Sequence, residues 1–109
     1  MRILKKLYFK LLEKLGLQST FSYRFLDDVP KKIYPKVIYI IGHKTNPWLL
    51  LFFCPCGCEQ KIQLNLLEES SPCWRYSLYK KQITIRPSIW RDIGCKSHFI
   101  IKNGNVQWV

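Results

Sequence analysis

The chain has 109 residues and a mass of 13.1 kDa, which suits one domain with an appendage. A hydrophobic fraction of 48% excludes a wholly disordered protein, while 18 Lys+Arg against 7 Asp+Glu give a net charge of +11. The basic excess runs through both halves of the chain, so it is no detached tail; it favours nucleic acid, a membrane surface or an acidic protein without choosing among them.

Leu4, Leu7, Tyr8, Leu11, Leu12 and Leu15 recur at helical spacing, with Lys5, Lys6, Lys10 and Lys14 largely elsewhere. This predicts a basic amphipathic helix within residues 1–17, stopped by Gly16 and appended to a β domain over 21–109. Three roles are open to it: packing on its own domain, docking on a partner, or peripheral membrane contact through residues 3–15. The scattered lysines leave no apolar core for a secretory signal, and no apolar run has the length of a transmembrane segment. With five cysteines, three of them crowded at alternate positions, a disulfide framework is the weaker account, and the expected compartment is the reducing cytoplasm.

Beyond a connector at 17–20, Phe21–Leu26 can form a short strand, and Asp27-Asp28-Val29-Pro30 reads as a turn. Lys36–Ile41 is β-branched and aromatic, and Trp48–Phe53 is a nearly unbroken apolar strand that fits an interior position. Residues 61–66 alternate polar with apolar, as do Trp74, Tyr76 and Leu78 with their neighbours; Lys80-Lys81 then allows a hairpin back into Gln82–Arg86. Pro87–Ile93 reads as a loop or one helical turn. His98–Ile101 and Asn105–Val109 flank Asn103-Gly104, a dipeptide suited to the positive φ angles of a tight turn. The expected fold is mainly β: a small zinc-stapled antiparallel domain of six or seven short strands after one N-terminal helix.

The staple comes from Cys54-Pro55-Cys56-Gly57-Cys58 and, further on, Gly94-Cys95-Lys96-Ser97-His98. Three alternating cysteines between Pro and Gly suit a core strand badly, whereas thiolates and an imidazole from two segments suit tetrahedral Zn²⁺. Five candidates compete for four places: Cys54, Cys56, Cys58, Cys95 and His98. Cys73 has no ligand spacing and reads as packing, and His43 reads as a solvent-facing turn residue. The thiolates suffice to close the metal's shell, and a cysteine nucleophile served by His98 would lack a third, orienting residue. No catalytic residue is therefore assigned.

These motifs, with TIRPSIW and GNVQW, resemble a family of small bacterial proteins known as a domain of unknown function, often encoded beside ubiquitin-like modifiers and E1-like and E2-like enzymes. The resemblance covers roughly residues 22–109. It implies the metal site at the same five residues, and Pro87, Ser88 and Trp108 as framework. Glu59 and Ile100 depart from the pattern, where Gly and an aromatic are usual, and neither is a candidate ligand. The expected function is a non-enzymatic zinc-binding protein-interaction module, an accessory or ligase-like component of a bacterial ubiquitin-like conjugation system. Its partner would be an E1-like or E2-like enzyme or the modifier itself. The alternative is a nucleic-acid-binding zinc domain, because Lys80, Lys81, Arg86, Arg91 and Lys96 interleave with Tyr76, Tyr79 and Trp90.

Overall fold

A computed structural model describes residues 20–109. Eight strands fill it: β1 (Ser22–Leu26), β2 (Val37–His43), β3 (Asn46–Phe53), β4 (Lys61–Asn65), β5 (Arg75–Tyr79), β6 (Gln82–Trp90), β7 (His98–Lys102) and β8 (Asn105–Trp108). They form two four-stranded sheets, β1-β2-β3-β4 and β5-β6-β7-β8, each in chain order.

The sheets share one core. Ile38, Ile40, Leu50 and Phe52 of the first sheet and Ile83, Ile85, Phe99 and Ile101 of the second belong to a single buried cluster. The first sheet also buries part of its other face, around Ile33, Tyr39, Ile41 and Leu51. Coverage on both sides is why Trp48–Phe53 is apolar at nearly every position rather than at alternate ones. The second sheet keeps the period of two, with Ile83, Ile85, Ile101 and Val106 inward and Arg86, Lys102 and Gln107 on the outer face.

The Asn103-Gly104 turn also joins the sheets. Asn103 and Gly104 have φ of 51° and 79°, Gly104 N–H donates to the Ile83 carbonyl at 2.7 Å, and its carbonyl accepts from Phe21 N–H at 2.8 Å. A Cβ at 104 would stand 3.0 Å from the Phe21 carbonyl oxygen, so glycine serves both the turn and the close approach.

Two expectations are corrected. The strand count is eight rather than six or seven, because β6 continues through Pro87 to Trp90 where a loop or helical turn was expected. It accommodates the proline at a bulge: Ile85 faces Ile101 and Ile89 faces Phe99, so β6 advances four residues while β7 advances two. The domain is also not purely antiparallel, since β1 pairs with β2 in parallel. Segment 27–36 is thus a crossover rather than a tight turn, braced where Tyr34 N–H donates to the Tyr39 hydroxyl at 3.0 Å. The described residues contain no helix, and the predicted N-terminal helix lies outside them. Among the described residues, no helix is long and apolar enough to cross a membrane.

Candidate functional site

β3 delivers Cys54 into a tight loop before β4. Cys54 N–H donates to the Gln60 carbonyl at 2.9 Å and Gly57 N–H to the Cys54 carbonyl at 3.3 Å, with Gly57 at φ 86°. This reversal aims Cys54, Cys56 and Cys58 at one point, where Cys95 meets them from the β6–β7 connection. The four sulfurs lie within 4.8 Å of one another, Cys54 being 3.4 Å from Cys56 and 3.7 Å from Cys95. Those separations are far longer than a disulfide bond of about 2.05 Å. They approach the ~3.75 Å edge of a tetrahedron with metal–sulfur bonds of about 2.3 Å.

The four cysteines could hold a metal ion, and their electrostatics suit one. Burial, followed by neighbouring thiols, pushes the Cys54 and Cys58 thiols up, so each resists carrying charge without a counter-ion. Burial also acts to raise Cys95, but hydrogen bonds from Ser97 and from the Cys56 and Cys54 thiols outweigh it and hold Cys95 at about 6. One thiolate is therefore favoured at neutral pH even without metal, and a dication would supply the charge that the others need.

His98 is not in this group. It opens β7 directly opposite Trp90 on β6, and the two rings stack at 5.3 Å and 19°. Its Nε2 lies 3.0 Å from the Ser88 hydroxyl. Ser88 reaches it because the bulge after Ile85 brings residues 86–88 out of the regular ladder. The Ser88 carbonyl accepts from the Trp74 indole at 3.4 Å, and the His98 carbonyl accepts from Val109 N–H at 2.9 Å, so both partners are held by their backbones. Among the described residues no carboxylate pairs with His98; the stacked Trp90 is what orients the ring. With the imidazole proton on Nδ1, Nε2 accepts from the serine hydroxyl, the arrangement a general base needs.

Ser88 also forms part of the wall of a groove of about 900 Å³ on the outer face of the second sheet, with Tyr76, Arg75, Arg86, Ile100 and Lys102. Cys73 borders the same groove, away from the other thiols. His43 is exposed at the end of β2, 2.7 Å from the Thr45 hydroxyl. Lys80 and Lys81 form the β5–β6 turn, whereas Trp90, Arg91 and Lys96 lie at the far end of β6, with Arg86 between.

Sequence reasoning placed Ser88 only as framework. No glycine-flanked serine motif marks it, and its partnership with His98 arises from a two-residue slip between strands.

Residues 25–109, most of the chain, match the family described as bacterial ubiquitination-like system serine protease (BubE), and the chain belongs to that family. No curated protein and no solved structure matched it.

Proposed function

We propose that this BubE-family chain is a serine peptidase of a bacterial ubiquitin-like conjugation system, with Ser88 as nucleophile, His98 as general base and a four-cysteine zinc staple beside them. The observation that carries the reading is the 3.0 Å approach of Ser88 Oγ to His98 Nε2 at the wall of a groove. The family's description supports it independently.

In this reading Ser88 Oγ attacks the carbonyl carbon of the scissile amide while its proton passes to His98 Nε2. The tetrahedral adduct collapses with cleavage of the C–N bond, and His98 gives that proton to the departing amine. Water then attacks the Ser88 ester, its proton going to Nε2. As the acid leaves, Ser88 Oγ recovers that proton and the enzyme is restored. The net change is hydrolysis of one amide to an acid and an amine. Trp90 holds the imidazole plane, since no carboxylate pairs with His98 among the described residues.

Cys54, Cys56, Cys58 and Cys95 would hold zinc in a closed shell of four thiolates, a structural arrangement that leaves no position for water. Its contribution is to tie the β3–β4 loop to the segment that leads into His98.

The test is labelling of the full chain with diisopropyl fluorophosphate and mapping of the adduct by mass spectrometry. The reading expects one adduct, on Ser88, lost in Ser88→Ala and in His98→Ala. A folded protein that takes no label, or takes it on another serine, contradicts it. A non-enzymatic interaction module would then be the better account, resting on Trp90 and Ile93, which are 67% and 78% exposed beside the site.

A further inference from the structure

The groove that Ser88 borders has a charge no catalytic step requires. Arg75 and Arg86 are direct cross-strand partners, so both side chains leave the same face of the second sheet. Like charges directly opposite one another destabilise a strand pair. Lys102 is a third cation on that face, and the groove wall contains no acidic residue. The outlets for this charge are few. Glu68 approaches Arg75 at 3.7 Å, but both side chains are largely exposed, which makes the pair weak. Arg86 has no ion-pair partner among the described residues. It is also two positions before Ser88, on the same bulged segment, so whatever neutralises it is bound close to the nucleophile.

The floor between the cations is neutral, with Ser77, Thr84 and Ile100, and the groove's lining spans all four strands of the sheet, from Arg75 on β5 to Gln107 on β8. An extended chain fits such a floor better than a compact ligand does. We infer that this groove is a substrate subsite for an extended peptide segment bearing carboxylates close to the scissile bond, with Arg86 and Lys102 as its specificity-determining residues and Arg75 reinforcing Arg86. This rests on the serine-peptidase reading for the position of the scissile bond, and it adds the substrate class. The carboxylates have two sources, acidic side chains or the free end of the substrate chain, which present the same group to a guanidinium.

Binding to Ser88→Ala protein tests the inference without hydrolysis. The probes are a fluorescein-labelled octapeptide containing two glutamates, its glutamine counterpart, the C-terminal amide of each, and a single-stranded oligonucleotide, all read by anisotropy at physiological salt. The glutamate peptide should bind at least about tenfold more tightly than the glutamine amide. The advantage should vanish when Arg86→Gln and Lys102→Gln are added. Retention of the advantage by the glutamate amide assigns it to side chains, and its loss on amidation assigns it to the chain end; either supports the inference. Equal binding of all four peptides overturns it, and needs no groove variant to be seen. So does an oligonucleotide that binds more tightly than every peptide and is weakened by the same two substitutions, since the groove would then be a phosphate-backbone site. The two readings fail separately. Equal peptide binding with Ser88 labelling intact in the unaltered protein sinks the subsite alone, whereas absent labelling with the glutamate preference intact sinks the peptidase reading alone.

Discussion

The sulfur cluster and the Ser88–His98 pair lie along the same stretch of chain, Cys95 being three residues before His98, yet they draw on different parts of the fold. The cysteines point inward: Cys54, Cys56 and Cys58 belong to the shared core cluster, and three of the four ligand candidates come from one five-residue loop. The serine and histidine lie on the outer face of the second sheet and come from neighbouring strands, brought together by the bulge in β6. A site closed by local loop geometry and burial is built for stability, whereas one hung on strand register at a groove is open to a ligand. The comparison predicts that damage to either site should leave a different signature.

The largest effect is expected at the cluster. Cys56→Ala should abolish tight binding of zinc, about one equivalent per chain in the unaltered protein, and cost on the order of 3 kcal/mol or more, a fall of at least ~12 °C in Tm. Cys73→Ala, measured in parallel by elemental analysis and calorimetry, should leave metal content unchanged. Equal loss in both variants would mean that the four-sulfur grouping has no special role.

At the outer site, Trp90→Ala should reduce peptidase turnover by up to about tenfold, the equivalent of losing one ring-stacking contact, with metal content and Tm almost unchanged. If KM rises and kcat holds, Trp90 contacts substrate instead of positioning His98.

The pH dependence of the chelated protein separates the cysteines themselves. Cys95, held at about 6 against an ordinary 9.0, contributes stability that is present above pH 9 and lost as pH falls toward 6. Cys54 and Cys58 are pushed up, so their contribution is present below pH 9 and lost as pH rises above it. Stability of the metal-free protein should therefore climb from pH 6 to 9 and fall beyond, a profile that zinc flattens on the alkaline side. A monotonic fall between pH 6 and 9 would contradict the Cys95 assignment.

Smallest of all is the β5–β6 turn, remote from both sites. Lys80 and Lys81 have φ of 50° and 62°, angles that suit Asn-Gly better than two lysines. Lys81→Gly should raise stability by about 0.5–1 kcal/mol in a denaturant titration, without affecting metal or activity. Destabilisation would show that the turn gains more from its side chains than it loses to strain.

The same contrast accounts for what could be read in advance. The clustered cysteines were visible among five candidates, with one of Cys54, Cys56 and Cys58 expected to stand aside for His98, because their spacing and the flanking Pro55, Gly57 and Gly94 are local facts; the Asn103-Gly104 hairpin was visible for the same reason. Strand orientation was not: alternation in Phe21–Leu26 and Lys36–Ile41 is the same whether the strands run parallel or antiparallel. Nor was the extent of β6, since Pro87 ordinarily ends a strand and the bulge that tolerates it depends on β7. Ser88 was hidden by that same bulge. His98 sits at Cys-x-x-His spacing from Cys95, so a ligand role was the natural reading until its ring was seen stacked on Trp90, with Ser88 at its Nε2.

His98→Ala, assayed in one preparation for zinc by elemental analysis and for Ser88 by fluorophosphonate labelling, tests this division most directly. The account predicts one equivalent of zinc retained, Tm close to that of the unaltered protein, and labelling of Ser88 abolished. Loss of the zinc with labelling preserved would return His98 to the metal and contradict the two-site account.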